Sequence, residues 1–212
     1  EWVLSEVLLS PDLAPHILAQ LPTKAHAVKG TCRAWRRGWK ETLKKRERPR
    51  LLVFGGEDID GRVINSMERY DPSTNEWEAE AVAPMSTART YVGAAVLDGK
   101  LYAVGGMSEA DDMTSNLVER YDLATTSWEE VAPMAEERYN HAVEVLDGKL
   151  YAVGGMSEAD DMTSNLVERY DLAAKLWEAV APMATPRVNH AVAVLAGMLY
   201  AVGGLNGGFL TS

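Results

Sequence analysis

The sequence is poor in the residues that most often carry chemistry. It has a single cysteine, Cys32, so no internal disulfide can form and a zinc site built on cysteines is excluded. A lone thiol fits a reducing compartment, so the cytoplasm, or the nucleus, is the expected location. There are four histidines, His16, His26, His141 and His190, and none stands in the H-E-x-x-H spacing of a metal site. No apolar run reaches the length of about 18 residues that a membrane-crossing helix needs, so no membrane span is expected. The first ten residues lack the basic start of a signal peptide. They also lack an initiating methionine, so an earlier segment is expected to be missing. No lysine followed by serine or threonine trails any glycine pair, so the glycines do not read as phosphate loops and no cofactor is expected.

What is present is a chain of 212 residues, 47% apolar and 25% charged, enough for one or two globular domains. The net charge of −10 is unevenly placed. Residues 1–50 hold 11 Lys/Arg against 5 Asp/Glu, while residues 51–212 hold 10 against 26. That asymmetry indicates two modules, 1–50 and 51–212. The basic cluster from Lys40 to Arg50 reads as a solvated helix end and linker. The acidity of the remaining chain repels phosphate, so no nucleic-acid partner is expected.

A long period dominates the second module. Gly-Gly pairs begin at Gly55, Gly105, Gly154 and Gly203, at spacings of 50, 49 and 49. A tyrosine follows at Tyr70, Tyr121 and Tyr170, and a tryptophan seven residues later at Trp77, Trp128 and Trp177. Pro-Met pairs at Pro84, Pro133 and Pro182 precede Arg89, Arg138 and Arg187. Each period reads as four short strands. Leu101–Gly106 is apolar on both faces, as a fully buried strand must be. Val118–Asp122 alternates as a half-buried strand does, a third strand carries Trp128, and His141–Leu146 alternates again. Asp98-Gly99 and Asp147-Gly148 are two-residue hairpin signals, because that turn needs positive φ. Four antiparallel strands in radial repetition make a propeller blade.

Strand-Gly-Gly, then E-R-Y-D, then Trp, then A-P-M-x-x-x-R, then V-L-D-G-K-L-Y-A-V-G-G resembles the kelch repeat. The resemblance implies an all-β, partial kelch propeller: blades at about 51–99, 100–148 and 149–197, and the first strand of a fourth at 198–212. Residues Val96–Ala124 and Val145–Ala173 are identical over 29 positions, which points to a recent duplication or an assembly error. A fragment of a longer ring is expected. The alternative is a half-ring completed by a second copy, self-associating through unpaired blade faces.

Residues 1–50 read as short helices instead. Ser10-Pro11-Asp12 is a helix start, and Leu13, Ile17, Leu18 and Leu21 form an apolar face before Pro22 stops the helix. Val28, Cys32 and Trp35 recur on one face of a second stretch, Ala25 to Trp39. The order of Leu9, Pro11, Asp12, Leu13, Ile17, Leu18, Leu21, Pro22, Val28, Cys32, Arg33, Trp35 and Arg36 resembles an F-box over about residues 9–43. The resemblance implies docking on a Skp-type adaptor of a cullin ubiquitin ligase complex. The apolar helix face would be laid in an apolar groove, with Leu9, Pro11, Leu13, Ile17, Leu18, Leu21, Pro22, Val28, Cys32 and Trp35 at the contact. A helical cap on the first blade and the tail of a BACK domain are the other readings.

For the propeller, the loop after the first strand and the turn before the fourth lie at one end, because neighbouring strands are antiparallel. Resemblance to kelch propellers places partner-contacting residues there: Thr90, Tyr91, Met107, Tyr139, Asn140, Met156, Val188, Asn189 and Leu205. Tyrosine and methionine suit an adaptable protein interface, so an unknown protein substrate is the expected partner. Arg89, Arg138 and Arg187 recur in every period, which assigns them to structure.

No catalytic or metal-binding residue is expected. Copper-oxidase kelch propellers need a Cys–Tyr and histidine constellation, and Cys32 lies outside the repeats. His141 and His190 read as strand-start residues. The acidic stretch Glu109, Asp111, Asp112 and its copy Glu158, Asp160, Asp161 lack EF-hand spacing and read as solvated loops. A basic partner segment is the alternative for them. The three functions to separate are a substrate-recognition subunit of an SCF-type ligase, a kelch scaffold with a helical cap, and a kelch-fold enzyme.

Overall fold

The computed structural model describes residues 51–72, 74–78, 83–108, 113–157, 162–207 and 209–210. The F-box-like residues of 1–50 and the two acidic stretches at 109–112 and 158–161 lie outside the described residues. The chain divides into two compact units, Glu1–Leu51 with Tyr70–Glu76, and Leu52–Arg69 with Trp77–Ser212.

Every described element is a strand. A first sheet orders β1 (Leu51–Phe54), β2 (Met67–Asp71) and β3 (Glu76–Glu78). The next repeat supplies β4 (Gly93–Leu97), β5 (Lys100–Val104), a short hairpin β6 (Met107–Ser108) with β7 (Met113–Thr114), then β8 (Val118–Asp122) and β9 (Ser127–Val131). The pattern returns as β10 (Ala142–Leu146), β11 (Lys149–Val153), β12 (Met156–Ser157), β13 (Met162–Thr163), β14 (Val167–Asp171) and β15 (Leu176–Val180). Two pairs follow, β16 (Ala191–Leu195) with β17 (Met198–Val202), and β18 (Leu205–Asn206) with β19 (Phe209–Leu210).

The two complete sheets run β4-β5-β8-β9 and β10-β11-β14-β15, antiparallel throughout. This grouping differs from the strand grouping read in the sequence. The strand ending at Leu97 belongs with the one starting at Lys100, not with the tryptophan strand before it. The cause is the turn between them. Asp98 and Gly99 sit at φ 50° and 71°, closing a two-residue hairpin in which Leu97 pairs with Lys100. Strands joined by so tight a turn must share a sheet, so the four-stranded units span 93–131 and 142–180. At the third such turn Ala196 takes the positive φ, 52°, ahead of Gly197.

In the second sheet β5 is buried along most of its length, as its two-sided apolar sequence requires. Strand β10, at one edge of its sheet, packs between β4 and β16 of the flanking sheets. Tyr102, Val104, Val118, Leu150, Ala152 and Tyr170 form the main core between the two complete sheets. Met67, Leu101 and Tyr121, covered by Phe54, Ala83 and Trp128, form the core towards the first. The tryptophans lock neighbouring blades: Trp128 Nε1 donates to the Ala83 carbonyl at 3.0 Å and Trp177 Nε1 to that of Ala132 at 2.9 Å.

Candidate functional site: the loop end of the blades

The loops at one end are built on the recurring arginines. Arg138 follows β9 but reaches into the next blade. Its Nη1 donates to the carbonyls of Gly154 and Leu166 at 2.9 and 3.1 Å, and its Nη2 to Glu168 Oε1 at 2.6 Å. Glu168 also accepts from the Ala135 and Glu136 amides. Arg89 repeats the arrangement with Gly105, Leu117 and Glu119, and Arg187 Nη1 donates to Gly203 O at 2.6 Å. Burial pulls the Arg89 guanidinium below its ordinary value, and the Glu119 carboxylate opposes that fall. These arginines are structural, as their recurrence indicated.

The glycine pairs complete the anchoring. Gly105 and Gly106, at φ 60° and 100°, turn the chain after β5, and the Gly106 amide donates to Arg138 O. There is no room for a side chain here: a Cβ on Gly105 would stand 2.5 Å from that same oxygen.

Held this way, the residue after each arginine forms an isolated bridge with the residue after each glycine pair: Thr90 with Met107, Tyr139 with Met156, Val188 with Leu205. The backbone bonds of all three bridges are 2.9–3.0 Å. Six of the nine sequence-derived contact residues are thus paired directly. The remaining three, Tyr91, Asn140 and Asn189, all adopt left-handed backbone, with φ 53°, 51° and 56°. Asparagine tolerates that region, whereas a bulky tyrosine there is uncommon. The Asn189 amide donates to Asn140 O at 3.0 Å, linking adjacent loops.

The side chains divide into two groups. Thr90 and Val188 are buried and act through their backbones. Tyr91 is 49% exposed, and its ring lies 6.1 Å from that of the half-buried Tyr139, whose hydroxyl is 3.9 Å from Met156 Sδ. This is an aromatic and thioether surface with amide groups beside it. Among the described residues no three of His, Cys, Asp and Glu gather into a metal-holding group. His141 and His190 sit beneath the loops, their ring nitrogens buried without hydrogen-bond partners. Burial, then Arg138, His190 and Arg89, pushes His141 down to about 3.

Sequence reasoning missed a pocket of about 260 Å³ beside Met156, lined among others by Glu136, Glu137, Ser157, Met162 and Thr163. A signal for it exists. The two residues before each recurring arginine are Thr87-Ala88, Glu136-Glu137 and Thr185-Pro186, so one repeat alone is acidic there.

Residues 18–206 match the KLHDC2/KLHL20/DRC7 Kelch-repeats domain. The chain belongs to this kelch-repeat family. The chain is similar to part of Kelch-like protein 40 of Mus musculus, 36% identical over 78 residues, which are 37% of this chain and 12% of that protein. It is also similar to the F-box/kelch-repeat protein At1g67480 of Arabidopsis thaliana, 33% identical over 78 residues, 37% of this chain and 20% of that one. The matches therefore span a small part of these relatives. The solved structure of YjhT shares the kelch fold, with a TM-score of 0.59 at 18% identity over 71% of this chain and 56% of that chain.

Proposed function

We propose that this kelch chain is the substrate-recognition subunit of an SCF-type cullin ubiquitin ligase. The loop end of the blades holds a protein substrate, and the F-box-like residues 9–43 hold a Skp-type adaptor. The carrying observation is the loop end itself, where successive repeats present Tyr91, Tyr139, Asn140 and Asn189 with Met107, Met156 and Leu205. Aromatic anchors beside flexible thioethers are the composition of an adaptable protein interface. The adaptor half rests on the order Leu9 to Arg36, and similarity to an F-box/kelch-repeat protein supports the pairing of the two modules. In this reading the ligase acts in the cytoplasm, or in the nucleus, and the chain itself does no bond chemistry.

The test is capture of a purified Skp-type adaptor by wild type and by Leu18→Ala/Trp35→Ala. Binding that the double substitution abolishes supports the reading, whereas no binding, or binding indifferent to it, removes the adaptor role. A second reading, a kelch scaffold with a helical cap, is favoured by the family match beginning at residue 18, inside the F-box-like segment. It predicts no adaptor binding and co-sedimentation with a filament.

A further inference from the structure

The duplication supplies an internal comparison. Hairpins β6–β7 and β12–β13 fall in the 29 identical residues, and each bridges to the loop after an arginine. Their exposed methionines correspond, Met113 at 58% and Met162 at 64%. What differs is the sequence leading into each bridge: Thr87-Ala88 precedes Arg89 and Thr90, and Glu136-Glu137 precedes Arg138 and Tyr139. Identical hairpins with different neighbours isolate the neighbours as the source of any difference in what they bind.

At the second hairpin both glutamates line the pocket with Met156, Ser157, Met162 and Thr163. Ser157 Oγ donates to Glu137 Oε1 at 2.9 Å, leaving the other carboxylate oxygen for a further donor. Neither glutamate pairs with a cation among the described residues. Arg138 also lines the pocket, but its guanidinium is committed to Glu168, Gly154 and Leu166, so its charge is already met. The wall therefore offers two uncompensated carboxylates beside soft apolar thioethers, in a module whose Asp and Glu outnumber its Lys and Arg by 26 to 10.

We propose that this pocket receives an arginine or lysine side chain from an extended segment of the protein partner, its methylene stem on Met156 and Met162 and its head between Glu136 and Glu137. A long basic side chain is the occupant that satisfies both surfaces at once, an apolar stem and a cationic tip. The assignment rests on the loop end being a protein-binding surface and adds the chemical class of what it selects.

The neighbouring blade supplies the test variants. Glu136→Thr/Glu137→Ala gives the second loop the residues that the first already carries in the same setting. Thr87→Glu/Ala88→Glu makes the reverse transplant. The probe is a fluorescein-labelled oligoarginine peptide, with oligoglutamate as control, titrated at moderate salt. Glu129→Gln/Glu178→Gln removes the same charge from the outer strands. Wild type binds oligoarginine and not oligoglutamate. The Glu136/Glu137 variant weakens binding by about tenfold or more, the outer-strand variant by about twofold at most, and the transplant doubles the number of sites. Equal weakening by both charge-removing variants, no oligoarginine binding, or a transplant without a second site overturns the proposal. The parent reading is tested apart, by Tyr139→Ala/Met156→Ala in substrate capture. If that variant loses substrate while Glu136→Thr/Glu137→Ala retains both substrate and oligoarginine, the loop end stays a binding surface and the basic class is wrong.

Discussion

Arg138 and Glu168 form an ion pair that bridges two blades, 2.6 Å from Nη2 to Oε1, with side chains only 2% and 3% exposed. The glutamate carries the pair on β14, while the arginine stands in the loop that closes the previous blade. Removing one partner leaves the other charged and buried. Arg138→Met is expected to cost about 3–5 kcal/mol of stability in urea unfolding, and Arg138→Met/Glu168→Gln to recover a substantial part. Equal loss in the single and double variants would show that the pair is not the coupling.

The buried histidine makes stability depend on pH. The folded-state value of His141 is about 3, well below its ordinary 6.5. Below pH 6.5 the unfolded chain therefore takes up a proton that the folded chain refuses, and stability falls as the pH drops. The effect amounts to at most about 2 kcal/mol at pH 5. Arg138, His190 and Arg89 are the charged and titratable groups acting on it, and His190 is itself lowered, first by burial and then by Arg187. The aligned position of the preceding repeat is Val92. His141→Val is expected to flatten the change in denaturation midpoint between pH 7.5 and 5, a window above the carboxylate range, with the His190 share remaining.

Two glycines of like backbone separate strain from crowding. Gly99 has φ +71° with nothing within 4 Å of an added Cβ, whereas Gly105 has φ +60° with Arg138 O at 2.5 Å and His141 Cε1 at 2.9 Å. Gly99→Ala is expected to cost about 1–2 kcal/mol, the left-handed penalty alone. Gly105→Ala should add about 1–3 kcal/mol for overpacking against backbone that cannot move aside. Thermal unfolding of the two variants, side by side, reads the difference.

The tryptophan locks are individually modest. Trp177→Phe keeps most of the ring packing but strands the Ala132 carbonyl, and Trp128→Phe does the same to that of Ala83. Each is expected to lower stability by about 1–2 kcal/mol in chemical denaturation, with the sheets intact by far-ultraviolet circular dichroism.

Periodic features were legible in the sequence because each is demanded once per blade. The Gly-Gly pairs, the tryptophans and the recurring arginines were readable as architecture, and the strands they punctuate are observed. The meeting of Thr90 with Met107 and of Tyr139 with Met156 followed from antiparallel geometry alone. The signal for the grouping of strands was present too: Asp98-Gly99 reads as a two-residue hairpin, whose strands must share a sheet, yet the repeat was divided at that very turn. The burial of Thr90 and Val188 was invisible, because it depends on neighbouring loops. The pocket beside Glu136 was missed because attention to what recurs passes over the one repeat that differs.

The identical segments also bear on how the chain finds its fold. Strand β5 has the same sequence as β11, and β8 the same as β14, so the hydrogen bonds of β5 with β8 are reproduced residue for residue if β5 instead meets β14. Local side-chain energetics cannot reject that exchange. Chain connectivity does so only weakly: closing about 62 intervening residues rather than about 13 costs about 1.4 kcal/mol more. Discrimination falls to the strands that flank the copies, where β9 reads Ser-Trp-Glu-Glu-Val and β15 reads Leu-Trp-Glu-Ala-Val. A chain with two interchangeable interiors is prone to slow, mispaired intermediates during refolding. Breaking the symmetry at a single inward position of one copy should speed recovery of the native arrangement.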